Sequence, residues 1–235
     1  MLKIQPYGDN ALIIQFAKEA TVAVSQQVIA LYQELKKTGR FLFLTPAFTD
    51  LTVGFDKCQI SFQEAETLIR SLAEQIKFEA DEVDHLIIPV CYAPPHAPDM
   101  EMVQQMTGLD AAEIIRIHTS TPFHVYMLGF IAGFPYLGNL PKQLSCQRKD
   151  KPRLQVPSGS VGIAGLQTGI YPTLAPGGWQ LIGQTPLKLF NPQLATPNFL
   201  KPGDQVQFRS ISIDEFQLIK IKVETEIYQA EYQNE

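Results

Sequence analysis

The chain has 235 residues, of which 45% are hydrophobic and 18% charged, and its formal net charge is −5. That length accommodates one or two domains with a proper core, and the composition is ordinary for a globular protein. A negative charge with no Lys/Arg run longer than Lys36-Lys37 argues against a nucleic-acid footprint or a polybasic membrane surface, which leaves small molecules and proteins as partners.

Met1 to Asn10 lacks a hydrophobic signal core, and no apolar run approaches the roughly 20 residues of a membrane span. The three cysteines, Cys58, Cys91 and Cys146, are widely spaced and form no CxxC. They support neither a disulfide framework nor a zinc knuckle. The expectation is a cytoplasmic protein with free, buried thiols and no metal.

In chain order, Ala11 to Phe16 is a short apolar run behind the turn residues Asp9-Asn10, which predicts a strand. Val24, Val28, Leu31, Tyr32 and Leu35 recur near the 3.6 period, so Thr21 to Lys37 reads as a helix stopped by Thr38-Gly39. Phe41 to Thr45 and Asp50 to Phe55 are β-rich runs separated by a proline-containing turn. Ser61, with Glu64 at the capping-box position, opens a second periodic segment through Ile76. His85 to Tyr92 is a further strand. The order βαββαβ is the ferredoxin-like pattern, an α+β domain over residues 1–92. Pro94-Pro95 marks the start of a second domain, 93–235.

In that second part, Asp99 to Thr107 and Asp110 to Ile117 read as short helices with Asp99 and Asp110 as N-caps. Thr121 to Phe130 is strand-like and is followed by the turn-rich GFPYLGNLP. A polar connector, Gln143 to Lys151, leads into Pro152 to Phe190, which holds seven of the fifteen glycines and the sole tryptophan. From Leu154 to Leu187 it contains no Asp, Glu, Lys, Arg or His. Apolar residues between the glycines exclude disorder and predict short buried strands joined by tight turns, as in a small closed or highly curved β structure. Leu200 to Phe208 enters another strand, and Ser212 to Ile227 reads as one or two closing strands.

GSVGIAG, Gly159 to Gly165, is a poor nucleotide loop, because Val161, Ile163 and Gly169 oppose the helix that would receive a phosphate. No GxxxxGK[ST] occurs, so the chain itself offers no recognisable ATP site. His118 and His124 lie too far apart for a metal pair and read as one capping or core histidine and one exposed on a strand. Ser158 and Ser160 lack a GxSxG setting and a neighbouring base, so they read as binding rather than nucleophilic groups. Any acid-base chemistry around the glycine-rich stretch must come from outside it, from Arg153, His118 or His124, or from a partner chain.

The segments HTSTPFHVYMLGFIAGFPYLGNLP, KPRLQVPSGSVGIAGLQTGIYPTLAPGGWQLIGQTPLKLF and FLKPGDQVQF, with the opening YGDNALIIQF, resemble the allophanate hydrolase subunit 1 family, also called the KipI family. The bacterial members of that family are largely the B subunit of ATP-dependent 5-oxoprolinase. The resemblance implies a small α/β domain followed by a cyclophilin-like β-barrel. It also implies a complex with a C subunit and an A subunit that opens 5-oxoproline to L-glutamate at the expense of ATP. A related pair of regions is fused within urea carboxylase, and one family member is described as an inhibitor of a sporulation sensor histidine kinase. The expected substrate cleft is lined by His118, Tyr136, Arg153, Ser158, Ser160, Tyr171, Gly177, Gly178, Trp179 and Gln180. Arg153 would pair with a carboxylate there, and backbone amides of the glycine turns would hold an oxyanion. The alternative roles are a protein-interaction module docking on a histidine kinase and a urea- or allophanate-linked subunit.

Overall fold

In a computed structural model, which describes residues 2–76 and 85–232, period-two burial at Leu12/Ile14 and Leu51/Val53 sets the first sheet. Its strands are β1 (Lys3–Pro6), β2 (Ala11–Gln15), β3 (Phe43–Pro46) and β4 (Asp50–Gly54), in the order β1-β2-β4-β3 and antiparallel throughout. Helix α1 (Val22–Thr38) turns Val28, Leu31 and Leu35 inward, with Thr21 Oγ1 accepting from the Val24 amide at one end and Gly39 in the left-handed region at the other. Helix α2 (Phe62–Gln75) starts on a complete Ser61–Glu64 capping box and adds Ala65 and Ile69 to the same core.

The chain divides into two units, Met1–Glu82 and Val83–Glu235. The expected ferredoxin-like βαββαβ order therefore needs correction. The first unit is ββαββα: β1 precedes the strand expected first, and β5 (His85–Cys91) belongs to the second unit. The physical reason lies in β5 itself. Leu86, Ile88, Val90 and Cys91 are all buried, and β5 pairs in parallel over seven residues with β13 (Gln205–Ile211). A strand covered on both sides has no polar face to offer a sheet backed on one side only.

The second unit continues with α3 (Met100–Thr107), α4 (Ala111–Ser120), β6 (Phe123–Leu128) and β7 (Pro135–Gly138). After it come β8 (Arg153–Val156), β9 (Ser160–Ala164), β10 (Gln167–Ile170), β11 (Ala175–Gly177) and β12 (Gln180–Gln184). The sheet runs β12-β9-β10-β7-β6-β13-β5, and a pairing of Gln184 with Cys91 joins β12 to β5, closing a seven-stranded mixed barrel. Its interior is apolar, filled by side chains such as Ile88, Val125, Leu137, Ile163, Ile182 and Phe208. β8 and β11 form a separate two-stranded ribbon. Ser212 to Glu224, expected as strand, is instead helix α5 (Ile213–Glu224): Ser212 Oγ accepts from the Glu215 amide, an N-cap that outweighs the β-branched residues. β14 (Glu231–Tyr232) then pairs with β5 at Ile87 and Leu86. Cys91 and Cys146 are buried free thiols as expected, whereas Cys58 is exposed.

One turn in the glycine-rich stretch depends on the absence of a side chain. Gly159 has φ +80° and sits between the Tyr171 and Thr185 backbones, donating to Tyr171 O at 2.7 Å and accepting from the Thr185 amide at 2.9 Å. A Cβ there would run into the Thr185 carbonyl. Gly159→Ala is expected to cost at least about 2 kcal/mol, the sum of left-handed strain and overpacking. Thermal unfolding measures it, and an unchanged Tm would contradict this account.

Candidate functional site

The charge-free stretch brings four aromatic rings together outside the main barrel core. Phe134 lies 5.1 Å from Tyr171, 5.4 Å from Trp179 and 5.0 Å from Tyr136, ring centre to ring centre and edge-on in each case. Tyr136 and Trp179 are 6.0 Å apart. The strands place them in register: Tyr136 on β7 pairs with Gly169 on β10, and a Cβ on Gly169 would meet Phe134 and Trp179. The Tyr171 hydroxyl lies against Gly177, where any side chain would overlap it.

A loop of opposite character borders this cluster. Gln147 to Arg153 carries Arg148, Lys149, Lys151 and Arg153 against one acid, Asp150. Its backbone is tied down on both sides of Arg148. Gln180 Nε2 donates to Gln147 O at 3.0 Å, and the Lys149 amide donates to Gly178 O at 2.7 Å. The Arg148 guanidinium lies over the Trp179 ring, 5.8 Å from its centre.

Asp99 anchors the loop. Its Oδ1 accepts from Arg153 Nη2 at 2.6 Å and Lys149 Nζ at 2.8 Å, and its Oδ2 accepts from the Leu181 amide at 2.7 Å. The side chain is only 5% exposed. Burial alone would raise its pKa, but the bonds from Arg153, Lys149 and Leu181 outweigh that and hold the carboxyl below its ordinary range. Asp99 stands at the N-cap position of α3 as expected, but its side chain makes no capping bond; the two cations claim Oδ1 and the Leu181 amide claims Oδ2.

The two phenols behave alike. Burial raises the pKa of Tyr136, with Arg148 opposing. Burial also raises that of Tyr171, against the Trp179 backbone N–H donated to its oxygen and the nearby Arg148 and Arg153. Both are therefore neutral O–H groups at neutral pH. The cluster offers an aromatic platform, two phenols and cationic groups, and its buried carboxylate, Asp99, is fully engaged. Such a site can hold and polarise a small anion or carbonyl compound, and its buried carboxylate is not available as a base for proton abstraction.

Of the residues expected in the cleft, Tyr136, Arg153, Tyr171, Gly177, Gly178, Trp179 and Gln180 do come together here. Arg153 is already committed to Asp99, and Gln180 is buried and committed to Gln147. Ser158 and Ser160 stand apart: Ser160 pairs with Gln184 while Gln180 pairs with Ile163, so the serines flank the far end of the β9–β12 pairing. Ser158 Oγ donates to Pro172 O at 2.8 Å, a turn contact.

His118 lines no cleft and must be removed from the set. It is fully buried and stacks on Phe208 at 4.4 Å. Thr168 Oγ1 donates to Gly162 O at 3.0 Å, so it accepts from His118 Nε2–H at 3.0 Å, which leaves Nδ1 to accept from the Tyr92 hydroxyl at 2.7 Å. Burial pushes its pKa down to about 3, so it is a neutral core histidine.

Sequence reasoning missed Arg148, Lys149 and Asp99 as parts of this arrangement. The run of cations before a charge-free segment was a usable signal for the first two; Asp99, 54 residues from Arg153, left none. The GSVGIAG segment forms β9, buried at every residue from Ser160 to Ala164, so it cannot cradle a phosphate, and these residues do not fit a nucleotide.

A family model described as carboxyltransferase domain, subdomain C and D, matches residues 2–200. Among curated proteins, the B subunit of 5-oxoprolinase from Bacillus subtilis (strain 168) is 42% identical over 232 residues, 93% of this chain and 96% of that protein. The corresponding B subunit of 5-oxoprolinase from Escherichia coli O157:H7 is 37% identical over 201 residues, 86% of this chain and 92% of that protein. Among solved structures, TTHA0988 superposes with a TM-score of 0.78 at 29% identity over 90% of this chain, which spans 40% of that longer protein. Among the described residues no helix is long and apolar enough to cross a membrane. By the family model and by both curated relatives, the chain belongs to the carboxyltransferase domain family, subdomain C and D.

Proposed function

We propose that this chain is the B subunit of a 5-oxoprolinase, which hydrolyses 5-oxo-L-proline to L-glutamate with ATP, and that it acts in the cytoplasm together with homologues of the C and A subunits. The observation that carries this reading is the 42% identity, across nearly the whole chain, to a protein named as the B subunit of 5-oxoprolinase. The site is consistent with it. A small, planar, uncharged ring with one carboxylate suits an aromatic platform bordered by guanidinium groups, and a polarised lactam carbonyl suits neutral phenol donors.

The same site argues for a shared reaction. Its buried carboxylate, Asp99, is committed to Lys149, Arg153 and the Leu181 amide, which supports a division in which this chain binds and orients the substrate while partner subunits supply proton transfer and ATP chemistry. The Tyr136, Tyr171, Gly177, Gly178 and Trp179 face forms one wall of the cleft. In a coupled assay of ATP-dependent glutamate formation, the isolated chain is expected to be inactive, with activity appearing when both partner subunits are added. Turnover by the isolated chain would overturn the shared-site reading, and inactivity of the full complex would overturn the enzymatic one.

A further inference from the structure

We infer that Arg148, which the sequence did not single out, is the residue that receives the carboxylate of the substrate, and that Arg153 stands behind it as a structural cation. This inference rests on the small-carboxylate substrate proposed above.

Three observations distinguish the two arginines. The first is commitment. Arg153 Nη2 is spent on Asp99 at 2.6 Å, a carboxylate that also holds Lys149, whereas Arg148 has no acidic partner among the described residues and is exposed. The second is preorganisation. Because the carbonyl before Arg148 and the amide after it are both bonded to the Gly178–Gln180 segment, its Cα is fixed relative to Trp179 before any ligand arrives. The third is position. The Arg148 guanidinium lies 5.8 Å from the centre of the Trp179 ring, at the border of the aromatic platform, where an arginine fork can bind a carboxylate through two parallel bonds.

The surroundings reinforce the assignment. No acidic residue occurs from Leu154 to Leu187, so nothing in the platform repels an anion. Arg153 and Lys149 share the single Asp99 carboxylate, two cations against one anion, which leaves net positive charge close by. Both arginines act on the Tyr171 phenol, so an anion bound beside that hydroxyl would feel both charges. Arg148 contacts it, and Arg153 contributes field.

The sole tryptophan is Trp179, so ligand binding reports on itself through fluorescence. The isolated chain would be titrated with 5-oxo-L-proline and with 2-pyrrolidone, the same ring without the carboxylate. The complex would be assayed for KM and kcat with this chain as wild type, Arg148→Gln or Arg148→Lys. Because Arg148 is exposed, both variants are expected to fold with an unchanged Tm. Arg148→Gln is expected to raise the KM for 5-oxo-L-proline about 10- to 100-fold with kcat within about threefold, and Arg148→Lys to fall between. In the titration, the preference for 5-oxo-L-proline over 2-pyrrolidone is expected to vanish in Arg148→Gln. A KM within twofold of wild type in the Arg148→Gln complex would overturn the assignment while leaving the 5-oxoprolinase reading intact. If the wild-type complex does not hydrolyse 5-oxo-L-proline, that reading fails. The assignment is then decided by titration with acetate and 2-furoate: a saturable response lost in Arg148→Gln supports it, and no response to either overturns it.

Discussion

Asp99→Ala is expected to lower the stability of the barrel unit by about 3–5 kcal/mol, the cost of leaving partly buried cations without their carboxylate. The carboxylate is 5% exposed and its two cationic partners 24% and 27%, so solvent can do little to replace it. The Leu181 amide would lose its acceptor as well, a further unsatisfied buried donor. Urea unfolding at neutral pH measures the loss, and a change below about 1 kcal/mol would sink the account. Adding Arg153→Met and Lys149→Met to Asp99→Ala separates the two contributions, because removing the stranded charges is expected to return part of the stability. Asp99→Ala should also raise the KM of the complex, since the loop that fixes Arg148 is held through Lys149 and Arg153.

The second large effect is a fall in stability on acidification, set by His118. Its folded pKa of about 3 lies below the ordinary value of 6.5. Between those limits the unfolded chain takes up a proton that the folded chain refuses, so the unfolded state binds more protons and stability rises with pH. Lowering pH from 6.5 therefore removes stability at about 1.4 kcal/mol per pH unit, or about 3 kcal/mol at pH 4.5, with no dependence above pH 6.5. His124, held down to about 4 by burial, adds a second such slope. Urea midpoints at pH 7.5, 5.5 and 4.5 test this. His118→Gln is expected to be less stable at pH 7.5, because Tyr92 and Thr168 lose their shared partner, yet to lose about half of the acid slope. Equal slopes for the two proteins would show that His118 titrates normally.

The parts of this fold that sequence revealed are those where local signals decide the outcome. The Ser61–Glu64 capping box, the Thr21 cap with Gly39 behind α1, and the Asp110 cap of α4 all satisfy backbone groups from within a few residues, so they stand where the sequence put them. The barrel itself was legible from glycine density combined with apolar residues. Errors arose where a long-range partner outweighs the local pattern. β5 follows a complete first unit in sequence but is claimed by β13, more than 100 residues later. Asp99 does stand at the N-cap of α3, but its side chain is taken by Lys149, Arg153 and the Leu181 amide instead of capping the helix. The aromatic half of the candidate site was visible because Tyr136, Tyr171 and Trp179 sit beside Gly or Pro. The cationic half was not, because a polar connector reads as solvated loop until its backbone is seen bonded to Gly178 and Gln180.

The closure of the barrel leaves one edge of β5 to be covered by the end of the chain. β5 meets β12 only at Cys91, and Glu231 and Tyr232 occupy the same side of β5 at Ile87 and Leu86. Arg209 holds this short strand in place through two bonds of 3.2 Å to the Glu231 carboxylate. The ring of strands thus has a seam, zipped at one end by the barrel and covered at the other by a two-residue patch. Lifting that patch would bare a row of backbone donors and acceptors beside Leu86 and Ile87, the kind of edge onto which a neighbouring molecule adds a strand. A single arginine on β13 therefore helps to keep this edge of β5 covered, at a place remote in sequence from the candidate site.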